Sequence, residues 1–309
     1  MRRLAFTLER TATNSQARAG RFTTLHGEVL TPLFMPVGTL ATVRAQKTEA
    51  LHASGSQVLL ANTFHLLQKP GLDVFRKFGG IHGFMKWDRP VLTDSGGYQI
   101  FSLSKHREIG EAGASFRTFD GAKLFLSPET SIATQKAIGS DIMMVLDECI
   151  DSTSPRDEAI RAMHLTHRWA ARSLEARGDS PQALFGIVQG ACHDDLRVES
   201  AQALRTMPFD GFAVGGLAVG ESREERERVV GLTTPHLPEH LPRYLMGVGT
   251  PVDLLEAVHR GIDMFDCILP TAYAQNGAAF TSRGKLSLRR GVYRLQHGPL
   301  DPACDCPTC

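Results

Sequence analysis

In the stretch GIDMFDCILPT (261–271), one carboxylate, Asp266, sits among Met264, Phe265, Cys267, Ile268 and Leu269. So short an apolar run between turn residues predicts a buried strand. A buried carboxylate is costly unless it is paired, exposed at the strand end, or used in chemistry. Two readings stand on this stretch alone: a structural Asp bonded to nearby amides, or a reactive group. Other apolar runs also close on polar residues: Asn62 and Thr63, Asp94 and Ser95, Asp147 and Glu148, Gln189, the turn GGLAVGE (215–221), and Met246 with Gly247. Gathered at one mouth, Asp94, Asp147 and Asp266 would supply carboxylates from three different strands, beside a mixed donor–acceptor in Gln189 and exposed backbone. For Asp147, just ahead of SPRDE, the alternative is a helix cap. In DSGGYQ (94–99) the two glycines would let a flat ligand approach the backbone, and Tyr98 could stack on it. Asp147 and Gln189 together offer the acceptor and the mixed group needed for a guanine-like base edge.

The elements that must position these groups follow from the spacing. Apolar runs recur at intervals of very roughly 30 residues: LFMPVG (33–38), QVLLANTFHL (57–66), PVLTDSGG (90–97), IMMVLDE (142–148), ALFGIVQG (183–190), GFAVGGLA (211–218), RYLMGVG (243–249) and MFDCILP (264–270). Most gaps carry helical periodicity. The clearest, SPRDEAIRAMHLTHRWAARSLEARG, predicts Ser154 as N-cap, Pro155 in the first turn, an apolar stripe of Ile160, Met163, Ala170, Ala171 and Leu174, and a stop at Gly178. His164 and His167 fall within that stripe and read as packing residues. Near-continuous apolar strands alternating with helices predict a parallel sheet covered on both sides, and eight such units predict an α/β TIM barrel, with a doubly wound open sheet as the alternative. In a barrel, chemistry is built at the C-terminal strand ends. The expected organisation is a barrel over 1–280, with a β-rich cap at about 1–30, and a distinct segment over 281–309 that alternates like a hairpin and leads to a cysteine cluster.

The 309 residues are 42% hydrophobic and 22% charged, with net charge +1, so no global basicity demands a nucleic-acid partner, although a local patch could. No run approaches the roughly 20 apolar residues of a membrane span. MRRLAFTLERT is not a secretory signal, and a cytoplasmic protein is expected. Cys149, Cys192 and Cys267 are scattered and read as reduced thiols, whereas Cys304, Cys306 and Cys309 crowd together as metal ligands would.

The set MPVGT, NTFHL, TDSGGYQIFSL, LSPE, LDEC, IVQG, GGLAVGE, LMGVG, FDCILPT and CDCPTC resembles, in order, the motifs of bacterial tRNA-guanine transglycosylase. The resemblance implies a TIM barrel with a zinc-binding insertion after its eighth strand. It also implies exchange of guanine at the anticodon wobble position of GUN tRNAs for the queuosine precursor preQ1. It gives Asp266 the role of nucleophile in a double displacement and Asp94 that of general acid and base. Asp147 and Gln189 become guanine-edge readers, with Gly216 and Leu217 backbone beside them. Tyr98 and Met246 would sandwich the base, Glu221 would steady the turn, and Cys149 with Val219 would suit the pocket to preQ1. Cys304, Cys306 and Cys309 would hold a structural Zn2+, and a homodimer is implied.

Two departures stand out. The family's LPTRNARNG is LPTAYAQNG here, so Ala272 and Gln275 replace two arginines expected to grip the anticodon loop. Arg283, Lys285, Arg289, Arg290 and Arg294 could form a phosphate-binding patch instead; the alternative is a solvated hairpin face. The fourth zinc ligand implied by the resemblance, a histidine further on, is not supplied by the residues up to Cys309, and His297, upstream, is a poor substitute because GPLDPA would have to fold back tightly. From this the expectations are a subdomain cut short, a missing eighth helix, and an outer barrel face left open near FMPV and MFDCILP. A changed 7-deazapurine or nucleic-acid substrate, or a non-catalytic tRNA-binding partner, are the competing readings.

Overall fold

A computed structural model of the chain describes residues 3–103, 107–117, 121–306 and 308–309. It separates into two compact units, residues 1–267 and 268–309. The break falls ahead of the expected boundary at 280/281 because the hairpin beyond it packs on the preceding helix Leu269–Gln275.

The first unit opens on a three-stranded antiparallel sheet, β1 (Ala5–Thr11), β2 (Arg18–Thr24) and β3 (Gly27–Thr31). Its alternating exposure, with Phe22 and Val29 fully buried, follows the period-2 pattern of the sequence. The barrel strands follow: β4 (Leu33–Pro36), β5 (Leu59–Ala61) and β6 (Val91–Thr93). An antiparallel insertion, β7 (Arg107–Gly110), β8 (Gly113–Arg117) and β9 (Lys123–Leu126), interrupts the series. The barrel resumes with β10 (Ile142–Met144), β11 (Ala183–Val188), β12 (Gly211–Val214), β13 (Arg243–Leu245) and β14 (Met264–Cys267). All eight pair in parallel in the order β4-β14-β13-β12-β11-β10-β6-β5. A parallel bridge between Val37 and Leu60 brings the two end strands together, so the sheet closes as a TIM barrel. The strands are short and apolar on both faces: every residue of β5, β6, β10, β11, β12 and β13 is buried. The strand segments are shorter than the apolar runs because each run ends in the turn that carries its polar residue.

The helix Arg156–Arg177 is capped by Pro155, whose side chain makes no cap bond, rather than by Ser154. Its buried stripe runs through Ala159, Ala162, Met163, Thr166, Ala170 and Ser173, so Met163 and Ala170 are core while Ile160, Ala171 and Leu174 are half-buried. His164 is exposed and pairs with Glu199, and His167 meets Ser200. The wall expected to lie open is mostly covered: Met35, Met264 and Phe265 are buried, and Phe34 is partly buried against the core.

The cap is clamped to the N-terminal end of the barrel by two buried carboxylates. Arg18 of β2 makes a bidentate pair with Asp263, at 2.6 and 2.9 Å. Asp141, just before β10, accepts the His26 and Val91 amides at 2.9 Å each, and the His26 and His82 rings, stacked on each other at 3.5 Å, each bring one nitrogen to one of its oxygens. These bonds leave the opposite, C-terminal end of the barrel free for the polar residues of the strand ends. No described helix is long and apolar enough to cross a membrane.

The second unit holds the helix Leu269–Gln275, an antiparallel hairpin of β15 (Ala278–Thr281) and β16 (Gly284–Ser287), and the cysteine cluster.

Candidate active site

Asp266 leaves β14 at the C-terminal end of the barrel and is half-buried. Its Oδ1 accepts the Tyr244 phenol at 2.5 Å and the Gly247 amide at 2.9 Å. Both bonds favour the ionised carboxylate, against burial, which raises its pKa above the ordinary range. Oδ2 makes no hydrogen bond within the described residues. Of the two readings of the opening motif, the structural one accounts for one oxygen and leaves the other available.

Asp94 follows β6. The Thr63 amide donates to its Oδ1 at 2.9 Å, Asn62 Nδ2 donates to its Oδ2, and Thr63 Oγ1 donates to its backbone carbonyl at 2.5 Å. Asn62 is itself the N-cap of the helix Thr63–Gln68, accepting the His65 amide at 3.1 Å, so the same residue ends one strand, starts a helix and holds Asp94. Burial pushes Asp94 up to about 7, and the charges of Asp266 and Asp147 add to the rise. Asp94 therefore feels the charges of both other strand-end carboxylates.

Asp147 follows β10 and is buried. It is not a helix cap: its Oδ1 accepts Ser95 Oγ at 3.3 Å and its Oδ2 accepts Gln189 Nε2 at 2.7 Å. Burial raises it to about 6. Gly97 is required beside it, since a Cβ there would stand 2.5 Å from Asp147 Oδ1. Gln189 Oε1 is buried with no partner. It abuts Gly216, where a Cβ would lie 2.3 Å away and where φ is +64°. The turn that follows β12 must therefore be glycine-rich, and Leu217 within it is buried. Glu221 accepts the amides of Ala218 at 2.6 Å and Val219 at 3.2 Å, and its burial is offset by those bonds, which hold its pKa below the usual value.

Around this cluster, Tyr98 is half-exposed on the helix Gly97–Leu103, and the Met246 sulfur lies near Gly215. Cys149 is buried, and burial drives its thiol well above the ordinary range, so it is inert packing rather than a nucleophile. Two residues that sequence reasoning passed over belong here. Tyr244 lies inside the run RYLMGVG; a buried phenol in an aliphatic strand needs a polar partner, and that was the available signal. Arg197 occupies the apolar stripe Leu196, Ser200, Ala201, Leu204 of the helix Asp194–Leu204, the position where a charge is least expected.

Arg283, Lys285, Arg289, Arg290 and Arg294 all lie exposed in the second unit, away from its cysteines in sequence, and none forms an ion pair within 4 Å among the described residues. Lys285 sits over the Tyr273 ring at 4.7 Å. The Cys304, Cys306 and Cys309 sulfurs lie within 4.8 Å of one another, a spacing that could hold a metal ion. No fourth His, Cys, Asp or Glu joins them among the described residues. The His26, His82 and Asp141 group is equally compact, but its stacked rings lie 14° from parallel, so their in-plane lone pairs do not converge on one ion.

A sequence profile described as queuine tRNA-ribosyltransferase matches residues 13–309. Proteins named queuine tRNA-ribosyltransferase are similar over nearly the whole chain. That of Pseudomonas aeruginosa is 51% identical over 299 residues, 96% of this chain and 80% of the relative. That of Azotobacter vinelandii is 51% identical over 304 residues, 98% and 82% of the two lengths. That of Francisella tularensis is 50% identical over 295 residues, 95% and 80%. The closed barrel, its converging strand-end groups and these matches lead to one conclusion: the chain belongs to the queuine tRNA-ribosyltransferase family.

Proposed function

We propose that this enzyme is a pentosyltransferase that exchanges guanine at the wobble position of GUN tRNAs for preQ1. Family membership supports the reaction class, and the supporting observation in the site is Asp266, bonded through one oxygen and open at the other. Asp266 Oδ2 attacks the ribose C1′ of the tRNA. The C1′–N9 bond breaks, its electron pair leaves with guanine, and Asp94 supplies the proton that neutralises the departing purine. The incoming base then gives its N9 proton to Asp94 and attacks C1′ from the vacated side, releasing Asp266. Two inversions give net retention. Asp94, raised to about 7, is partly protonated near neutral pH, which suits a group that gives and regains one proton.

Asp147 and Gln189 read the guanine edge, with Gly216 and Leu217 backbone beside them, and Glu221 steadies that turn. Tyr98 and Met246 flank the base, and Cys149 with Val219 shapes the pocket for preQ1. The unpartnered Gln189 Oε1 supports this reading, because a buried acceptor left unpaired is costly until a ligand donor reaches it. Arg283, Lys285, Arg289 and Arg290 contact tRNA phosphates. Cys304, Cys306 and Cys309 hold a structural Zn2+, which would tie the cluster together as thiolates. The barrel works in a homodimer; Val252 and Leu255, exposed on one face of the helix Pro251–His259, offer apolar surface for such a contact.

The test is incorporation of radiolabelled guanine into a GUN-anticodon tRNA transcript, with a denaturing gel for a covalent adduct. Exchange by the parent and none by Asp266→Ala is expected. Turnover by Asp266→Ala equal to the parent's would remove the nucleophile assignment.

A further inference from the structure

Arg197 is fully buried, and no carboxylate lies within ion-pair distance of it among the described residues. Its guanidinium spends its donors on backbone carbonyls. Nε donates to Ala191 O at 2.6 Å, Nη1 to Val188 O at 3.0 Å and Gly215 O at 2.8 Å, and Nη2 to Gly216 O at 3.4 Å. Burial lowers its pKa to about 10, which still leaves it charged at neutral pH. A buried charge without a directly paired carboxylate is costly, and an apolar side chain in this helix stripe would cost less. The carbonyls it gathers explain its presence. Two come from either side of Gln189, and two come from the glycine-rich turn after β12.

That turn has little of its own to hold it. Gly215 and Gly216 carry no side chains, and glycine peptides can rotate between alternative orientations. Here opposite charges grip the turn from two sides. Its leading carbonyls, Gly215 and Gly216, face the Arg197 cation; its trailing amides, Ala218 and Val219, face the Glu221 carboxylate. Within one peptide the C=O and N–H point in opposite directions. Drawing the Gly215 and Gly216 carbonyls toward Arg197 therefore turns the Gly216 and Leu217 amides away from it. Neither amide has a hydrogen-bond partner in the described residues. Beside them stands the unpartnered Gln189 Oε1.

We propose that Arg197 is a positioning residue that orients the Gly215–Leu217 turn so that its two free amides meet the base, and so sets base affinity in the exchange reaction. The role rests on the function proposed above and adds to it. Arg197 touches neither base nor ribose; it acts through the turn.

The experiment compares Arg197→Met and Arg197→Lys with the parent in guanine exchange, measuring KM for guanine, KM for tRNA and kcat, with Tm alongside. Arg197→Met is expected to raise KM for guanine about tenfold or more while KM for tRNA stays within about twofold. Arg197→Lys, which keeps the charge but loses the planar fork, should fall between the two. A purely structural arginine would give fewer active molecules, hence lower apparent kcat at unchanged KM, and that result in both variants overturns the proposal. Should Arg197→Met fail to fold, Arg197→Lys decides: a rise of about threefold or more in KM for guanine supports the role, and a parental value refutes it. A parent that exchanges no guanine overturns the proposed function and this role together. A parent that exchanges, with variants at parental KM, removes the role alone.

Discussion

Tyr244 donates its phenol hydrogen to Asp266 Oδ1 across two adjacent parallel strands, at 2.5 Å, from a position with no solvent exposure. The bond favours the charged form of the carboxylate, and burial together with the Asp266 charge raises the pKa of the phenol well above its usual value, so the phenol remains the donor. Tyr244→Phe deletes one oxygen from a buried pair. The pKa of Asp266 should then climb, since the hydrogen bond that most opposes the effect of burial is gone. We expect the acid limb of the exchange rate against pH to move to higher pH. A pH–rate profile of both proteins checks this, and superimposable acid limbs would exclude Tyr244 from tuning the carboxylate.

Asp94 carries a linked stability effect. Its pKa in the fold, about 7 through burial, exceeds that of an unfolded Asp. The folded state thus binds a proton that the unfolded chain has already lost. The associated stability is fully present below about pH 4 and disappears as pH rises through about 7. Asp94→Asn removes that dependence. Its Tm relative to the parent should improve steadily from pH 4 to pH 8, while exchange falls by about a hundredfold, because an amide cannot shuttle the proton. Thermal melts across that range provide the check; a constant Tm difference would place the shift elsewhere.

Gly97→Ala would push a methyl to 2.5 Å from Asp147 Oδ1 and 2.7 Å from its carbonyl. The backbone cannot yield as a flexible side chain would, so Asp147 should swing away from Gln189. The expected result is a rise of about tenfold or more in KM for guanine, with tRNA binding unchanged. Steady-state kinetics with each substrate varied in turn would reveal it, and an unaltered KM for guanine would mean that Asp147 does not contact the base.

The exposed cations of the second unit should act additively on tRNA. Arg289→Gln and Arg290→Gln together should flatten the slope of log affinity against log salt by about 1.5 to 2, with little change in kcat at saturating tRNA. Filter binding at several salt concentrations measures this. A parental slope would return those residues to the status of a solvated face.

Cys306→Ser removes one of the three clustered sulfurs. Zinc content by atomic absorption should be well below the parent's in the variant, with exchange slowed mainly through tRNA binding. Equal zinc in both proteins would exclude this cluster as the metal site.

Much of the fold was readable from period alone. Runs such as ALFGIVQG and GFAVGGLA are apolar on both faces, which only a covered parallel sheet accommodates, and they end on the polar residues that a barrel presents at one rim. Their ends were less legible. The chain leaves β10 after Met144 although Val145 and Leu146 still belong to the core, and leaves β12 after Val214, where the glycine-rich turn begins. The Ser154 cap was misplaced by one residue because Pro155 can itself stand at the N-cap, where it needs no amide hydrogen.

The amino-acid sequence by itself determined which residues stand at the strand ends, since hydrophobic spacing records burial and the turn that follows records where burial stops. It therefore carried Asp94, Asp147, Gln189 and Asp266 as candidates. Only the tertiary structure decided which groups face them. Tyr244 reaches Asp266 across a strand pairing, Asn62 reaches Asp94 from a helix cap, and Arg197 reaches the Gly215–Gly216 carbonyls from a neighbouring helix. Those partners set whether each carboxylate is charged and which oxygen is left free. Periodicity shows that a side chain is buried, but an electrostatic environment is a sum over distances between residues far apart in the chain, and those distances exist only once the barrel has closed.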